Sequence, residues 1–330
     1  MVSGRATGAA PSPSFLSPPP SPLSSPSRLS PSSPSSPSPP SVFAAAGVAT
    51  VAADWAWREA PPRLPAGAVH LWAAETTPLR AQSHLLTAAE LTRAHRIADP
   101  AQRAMTLGGR AGLRRLLCAY SGLDNAALRL GRGARGKPKL LNRLPGDHGG
   151  DGDGDHGGDG GRELCFNYSL SGGWALYAFA WNRALGIDLE TLPRANNSAG
   201  LARRVLSAAE LKAWRKLSAP APDAAAAMLA CWTRKEAYGK ALGVGIRYHM
   251  RRAEVFADAG PRWRCAVAGL FPGTVADTDA RVLHGVQLAT PFPGIAALVC
   301  DGGAVAADAL RGWRWRPSTA ARPATPTQMS

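Results

Sequence analysis

The chain has 330 residues, 45% of them hydrophobic, with a formal net charge of +15 and a pI near 10.5. Length and apolar content allow a substantial buried core, and the charge calls for an anionic partner. No apolar run is long enough to span a bilayer, and the five cysteines at 118, 165, 231, 265 and 300 form no Cys-x-x-Cys pair, which argues for reduced thiols over a zinc ribbon or a disulfide scaffold.

Residues 1–53 are dominated by Ser and Pro and contain no acid, so they are expected to be disordered. With Arg5 and Arg28 they resemble an organelle transit peptide only in part. The expected location is the cytoplasm, with a plastid as the alternative if the segment is a transit peptide. A first α+β lobe is read over 54–184. It has a strand at Ala68–Trp72, helices at Thr87–Ile97 and Ala101–Tyr120, a strand from Leu140, and strands at Phe166–Ser169 and Trp174–Trp181. A second lobe is read over 185–316. Its elements are a strand at Leu185–Glu190, helices at Leu201–Arg204, Ala208–Leu217 and Asp223–Leu242, and strands at Ala253–Phe256, Trp263–Ala268, Gly285–Leu288 and Ile295–Cys300. The order strand, helix, strands recurs, without sequence identity between the lobes. Residues 317–330 form a tail, with Trp313 and Trp315 just before it in a basic segment and partly exposed.

Within the first lobe, ahead of Phe166, residues 146–161 consist only of Gly, Asp and His and hold two copies of Gly-Asp-His-Gly-Gly-Asp-Gly. Read as an EF-hand from Asp151, the sixth position is His156 and the twelfth Arg162, so the calcium pattern fails. The stretch reads as a loop inserted into the first lobe. The net charge divides as +2 over 1–53, +9 over 54–146, −5 over 147–161 and +9 over 162–330, so both lobes are basic.

The chemistry concentrates in two segments. Gly186-Ile187-Asp188-Leu189-Glu190 follows an apolar run, and on a strand Asp188 and Glu190 share a face. Cys231 to Lys240 reads as a helix stopped by Gly243, with Glu236 and Lys240 one turn apart. Carboxylate oxygens in this number suit a hard cation such as magnesium, and a lysine beside it suits phosphate. A strand end and an ordinary surface ion pair explain the same residues equally simply.

Together these segments resemble the paired signature of the Sfp-type 4′-phosphopantetheinyl transferase family: Gly-Ile-Asp-Leu-Glu, then Trp-Thr-Arg-Lys-Glu-Ala with Lys240 beyond it. Gly136-Lys137-Pro138 is similar to that family's Gly-Lys-Pro element, and Phe166-Asn167-Tyr168-Ser169-Leu170-Ser171 to its Asn-x-Ser-His-Ser segment. The match runs over roughly residues 68–300. The resemblance implies a pseudo-dimer of two similar α+β lobes with the site between them. It also implies Mg2+-dependent transfer of the phosphopantetheine arm of coenzyme A to a serine of an acyl or peptidyl carrier protein. Asp188, Glu190 and Glu236 would hold the metal, Glu236 and Lys240 would be catalytic, and Arg96, Arg103, Lys137, Ser169, Lys235 and Lys240 would bind coenzyme A. Lys235 lies about 100° from Glu236 around the helix, so it meets either phosphate or solvent.

One position departs from the pattern. Leu170 stands where the family has a histidine that contacts coenzyme A phosphate, and leucine can neither donate nor carry charge; weaker coenzyme A binding is expected, with Arg96 and Arg103 as compensating cations. The expected protein is a monomer that binds neither membrane nor nucleic acid. Two other classes remain open: a noncatalytic relative that binds coenzyme A or a carrier protein, favoured by Leu170, and a basic nucleic-acid-binding module, for which no recognisable motif is present.

Overall fold

The computed structural model describes residues 50–133, 136–144, 162–191, 198–216, 222–243, 251, 255, 260–266 and 282–317. Residues 1–49 of the Ser/Pro-rich segment, the Gly/Asp/His insertion and, Val255 apart, the strand expected at Ala253–Phe256 lie outside them. Residues 50–53, expected to be disordered with that segment, are ordered, with Val51 bridging Leu288 in parallel and packed on the core between the sheets. In chain order the elements are β1 (Ala56–Arg58), β2 (Val69–Glu75), α1 (Thr76–Arg80), a 3-10 turn (Ser83–Leu85), α2 (Ala88–His95) and α3 (Pro100–Ser121). Then come β3 (Leu130–Arg132), β4 (Pro138–Leu140), β5 (Leu164–Ser171), β6 (Trp174–Trp181) and β7 (Leu185–Thr191). The rest are α4 (Ser198–Val205), α5 (Ala208–Arg215), α6 (Pro222–Leu242), β8 (Arg262–Ala266), β9 (Val282–Ala289), β10 (Gly294–Cys300) and β11 (Leu310–Trp315).

The class is α+β, as expected. One sheet has the strand order β1-β11-β2-β6-β5 and the other β7-β10-β9-β8, with β3 and β4 forming a separate hairpin. Period-two alternation builds the layers. On β2, Leu71 and Ala73 face the second sheet and pack with Ile187, Leu189, Leu288 and Leu298. Trp72 faces the other way, onto Leu113, Leu116 and Leu117 of α3. On the second sheet the outward residues Ala297 and Val299 pack on Ala237, Tyr238 and Ala241 of α6. The result is four layers: α3, sheet, sheet, α6.

The C-terminal strand corrects the lobe boundary. β11, read from sequence as second-lobe and tail-like, pairs parallel with β1 and β2 in the first sheet. Trp313 and Trp315, expected to be partly exposed, are 8% and 4% exposed and join the core under α3. The strand from Leu140 instead ends there, as β4.

The lobes also share sequence after all. Leu86-Thr87-Ala88-Ala89-Glu90-Leu91 and Leu206-Ser207-Ala208-Ala209-Glu210-Leu211 correspond residue by residue. Each opens a short helix, α2 or α5, with a capping box in which the hydroxyl accepts from the Glu backbone N–H and the Glu carboxylate accepts from the cap N–H. Each short helix precedes the long helix of its lobe. Among the described residues no helix is long and apolar enough to cross a membrane.

Candidate functional site

The site lies on the seam where β5, an edge of the first sheet, meets β7, an edge of the second. Alternate residues of β5 face this seam. Asn167 Oδ1 accepts from the Ile187 N–H at 2.9 Å, Ser169 Oγ donates to Asp188 Oδ1 at 2.9 Å, and Ser171 Oγ donates to Glu190 Oε2 at 3.1 Å. Ser171 Oγ also accepts from the Thr191 N–H at 3.2 Å. An edge strand's unpaired backbone groups need partners, and here side chains of the neighbouring edge supply them.

On β7 the opposite alternation turns Gly186, Asp188 and Glu190 toward α6. A Cβ at Gly186 would lie 1.9 Å from Ala237 O and 2.3 Å from Ala241 N, so only glycine lets α6 close onto the strand. With that contact made, α6 runs antiparallel along β7 and its residues at intervals of four meet the acids. Trp232 Nε1 donates to Glu190 Oε1 at 3.1 Å. Lys240 Nζ donates to Asp188 Oδ1 at 2.7 Å, Ser169 Oγ at 3.0 Å and Ile187 O at 3.0 Å.

Glu236 lies between them. All three carboxylates are buried, at 5% exposure for Asp188, 7% for Glu190 and 8% for Glu236. Burial, with the Asp188 charge beside it, pushes the Glu236 carboxyl up to about 7; Lys240 opposes this and Glu190 adds a smaller push. Asp188 Oδ2 and Glu236 Oε1 are buried with no hydrogen-bond partner. Buried polar atoms are ordinarily satisfied, so two orphan oxygens of neighbouring acids are what a hard divalent cation would satisfy. The donor set fits such an ion in chemistry, although among the described residues no three acidic, histidine or cysteine side chains are already gathered to ligand geometry. Glu190 has both oxygens engaged, by Ser171 and Trp232.

Other expected coenzyme A contacts fall elsewhere. Lys235 is fully buried, its Nζ 2.5 Å from Glu210 Oε2 on α5, so it faces neither phosphate nor solvent. Arg103 closes the connection from α2 to α3 through Ile97 O at 2.9 Å and Ala98 O at 3.1 Å, and Arg96 caps the exposed end of α2; neither bonds to the acidic cluster. Lys137 Nζ reaches Leu185 O at 2.6 Å and Ala241 O at 3.2 Å, joining the Gly-Lys-Pro loop to β7 and α6. Leu170 faces α3, where its methyl carbons occupy the space a Cβ at Gly109 would need. Sequence reasoning missed the roles of Asn167 and Ser171, although the spacing of two between Asn167, Ser169 and Ser171 carried the signal for a shared face.

Residues 184–288, from the start of β7 through most of β9, match the family profile of the 4′-phosphopantetheinyl transferase superfamily (ACPS). The chain is 30% identical over 267 residues to the 4′-phosphopantetheinyl transferase HetI of Nostoc sp. (strain PCC 7120), a match that covers 79% of this chain and 96% of that relative.

Proposed function

Because the chain belongs to the 4′-phosphopantetheinyl transferase superfamily, we propose that it moves the phosphopantetheine arm of coenzyme A to a serine hydroxyl of an acyl or peptidyl carrier protein, with magnesium held by Asp188, Glu236 and Glu190. The observation that carries the metal reading is the pair of buried, unpartnered oxygens Asp188 Oδ2 and Glu236 Oε1. Magnesium at these oxygens would neutralise charge developing on the pyrophosphate.

The remaining chemistry belongs to the chain. Asp188 and Glu190 are held rigid by Ser169, Ser171 and Trp232, so the site is preorganised. Glu236, a carboxylate on the α6 face that meets β7, stands where it can take the proton of the carrier serine. The serine oxygen bonds to the phosphorus bearing the pantetheine arm as the bridging pyrophosphate bond breaks. Adenosine 3′,5′-bisphosphate leaves. Lys240, 28% exposed at its side chain, is the cation able to turn from Asp188 toward the leaving phosphate, as a point charge does without fixed bidentate geometry. The basic surface steers both polyanionic coenzyme A and an acidic carrier protein.

The test is intact-mass spectrometry of an apo acyl carrier protein incubated with the chain, coenzyme A and magnesium, beside an EDTA control. A metal-dependent gain of one phosphopantetheine mass supports the reading. No gain on several carriers, with coenzyme A still bound, leaves a noncatalytic binding relative.

A further inference from the structure

We propose that Lys235 and Glu210 form a positioning pair that sets the rotation of α6 and so aims Glu236 at the site; the inference rests on the transferase reading above. Three consecutive residues of α6 point three ways. Arg234 Nε donates to Gln287 Oε1 at 2.8 Å and its guanidinium to Val255 O at 2.9 Å, while its plane lies 4.5 Å over the Trp263 ring. Lys235 turns to α5. Glu236 turns to β7.

Glu210 is the hub of this arrangement. Its Oε2 accepts from the Ser207 N–H at 2.9 Å, closing the α5 capping box, and lies 2.5 Å from Lys235 Nζ. Its Oε1 accepts from the Val255 N–H at 2.8 Å. The peptide groups of Val255 are therefore gripped at N–H by Glu210 and at C=O by Arg234. Side-chain exposure is 0% for Lys235 and 2% for Glu210, so no phosphate reaches the ammonium while the pair stands.

The first lobe repeats the device. Glu90, the capping-box residue equivalent to Glu210, accepts from Arg114 of α3 at 3.2 Å in a pair with side chains 3% and 7% exposed. In both lobes a capping glutamate on the short helix thus binds a buried cation on the long helix. The acidic cluster lies only against α6, so the pair belongs to the architecture and serves the site by orientation. Rotating α6 by about 10° would carry a side chain about 6 Å from its axis by about 1 Å, a displacement on the scale that costs about a hundredfold in rate.

The experiment compares Lys235→Met, Glu210→Gln and their combination for kcat, KM for coenzyme A, coenzyme A affinity by calorimetry in EDTA, and melting temperature. Each single substitution leaves one buried charge uncompensated and is expected to lower kcat about ten- to a hundredfold, with KM and coenzyme A affinity within about twofold of the unsubstituted chain. The double variant, which buries no charge, is expected to recover kcat by about tenfold over the worse single and to melt higher than additive shifts predict. A rise of about tenfold in KM and in the dissociation constant with kcat preserved would make Lys235 a phosphate contact and overturn the proposal. Additive melting shifts and no recovery in the double variant would also overturn it. If a single variant fails to fold, the double carries the test: coenzyme A bound as by the unsubstituted chain supports the pair, and lost binding in a folded double overturns it. Absence of transfer by the unsubstituted chain would count against the transferase reading alone, since the melting coupling is read without turnover.

Discussion

Ser169 Oγ on β5 donates to Asp188 Oδ1 on β7 at 2.9 Å while accepting from Lys240 Nζ at 3.0 Å. One hydroxyl therefore sets both the orientation of a buried carboxylate and the resting place of the only lysine on α6 that meets the acidic cluster. Ser169→Ala removes a donor to a charged acceptor, an interaction worth about 1.5–3 kcal/mol. Urea denaturation is expected to show a stability loss in that range, with turnover reduced and magnesium dependence retained. Unchanged stability would mean that water replaces the hydroxyl without cost.

Glu236→Gln and Asp188→Asn are each expected to abolish transfer without unfolding the chain. The two carboxylates repel one another in a buried setting, and each carries an oxygen without a partner. Neutralising Glu236 removes that repulsion, so in EDTA the Glu236→Gln variant is expected to melt above the unsubstituted chain, the pattern of an active site held at a cost in stability. A variant that turns over normally with magnesium would remove the metal site from the proposal.

Gly186→Ala is expected to be damaging out of proportion to one methyl group. Its Cβ would meet backbone atoms, Ala237 O and Ala241 N, which cannot move aside as a flexible side chain can, so α6 must lift from β7. Overpacking of this kind costs about 1–3 kcal/mol or more. The melting temperature should fall and transfer should be lost even at temperatures where the variant is folded, because Glu236 and Lys240 leave β7 with the helix.

What was legible in the sequence follows from where the cause of each feature lies. The bounds of β6 are legible because Trp174–Trp181 is apolar and bounded by glycines and an Asn-Arg turn, and the end of α6 because Ala, Leu, Lys and Glu run to a glycine stop. Local periodicity puts Asp188 with Glu190 and Glu236 with Lys240, and the structure joins the two pairs through Lys240 and Asp188. β1 and β11 were missed because their parallel pairing joins residues near 57 to residues near 314; Arg and Trp alternation looked like a basic tail. The phase of Lys235 on the helix is a local feature, but its partner Glu210 is not, so the sequence leaves it between phosphate and solvent. Glu210 stands in a hexapeptide whose copy at Leu86–Leu91 was there to be found, and the copy's Arg114 pair gives the reason for the lysine.

His70 provides a pH dependence separate from the site. It is 2% exposed, bonded through Nδ1 to the Tyr120 hydroxyl at 2.8 Å, and burial first, then the charges of Arg58 and Arg311, lower its pKa from 6.5 to about 4. The folded state binds its proton less readily than the unfolded state, so its contribution is complete above pH 6.5 and is lost as pH falls through 4. The shift corresponds to at most about 3 kcal/mol. Melting temperatures measured from pH 7.5 to 4 should fall most steeply below 6.5, and His70→Gln should flatten that part of the curve. An equal slope in the variant would assign acid sensitivity to other groups.

Leu170→His restores the residue that the family pattern carries at this position. Leu170 lies on the α3 face of β5, one residue from Ser169 but on the opposite side of the strand, packed against Gly109. An imidazole there gains a hydrogen-bond donor for phosphate and, when charged, an interaction of about 1.5–3 kcal/mol, while losing methyl packing on α3. The expected outcome is a lower KM for coenzyme A with a slightly lower melting temperature, read in the same mass-spectrometric transfer assay. An unchanged or higher KM would mean that the surface around Leu170 and Gly109 has been rebuilt so that coenzyme A no longer passes over it, and that the phosphates rely on the Lys240 side of the seam.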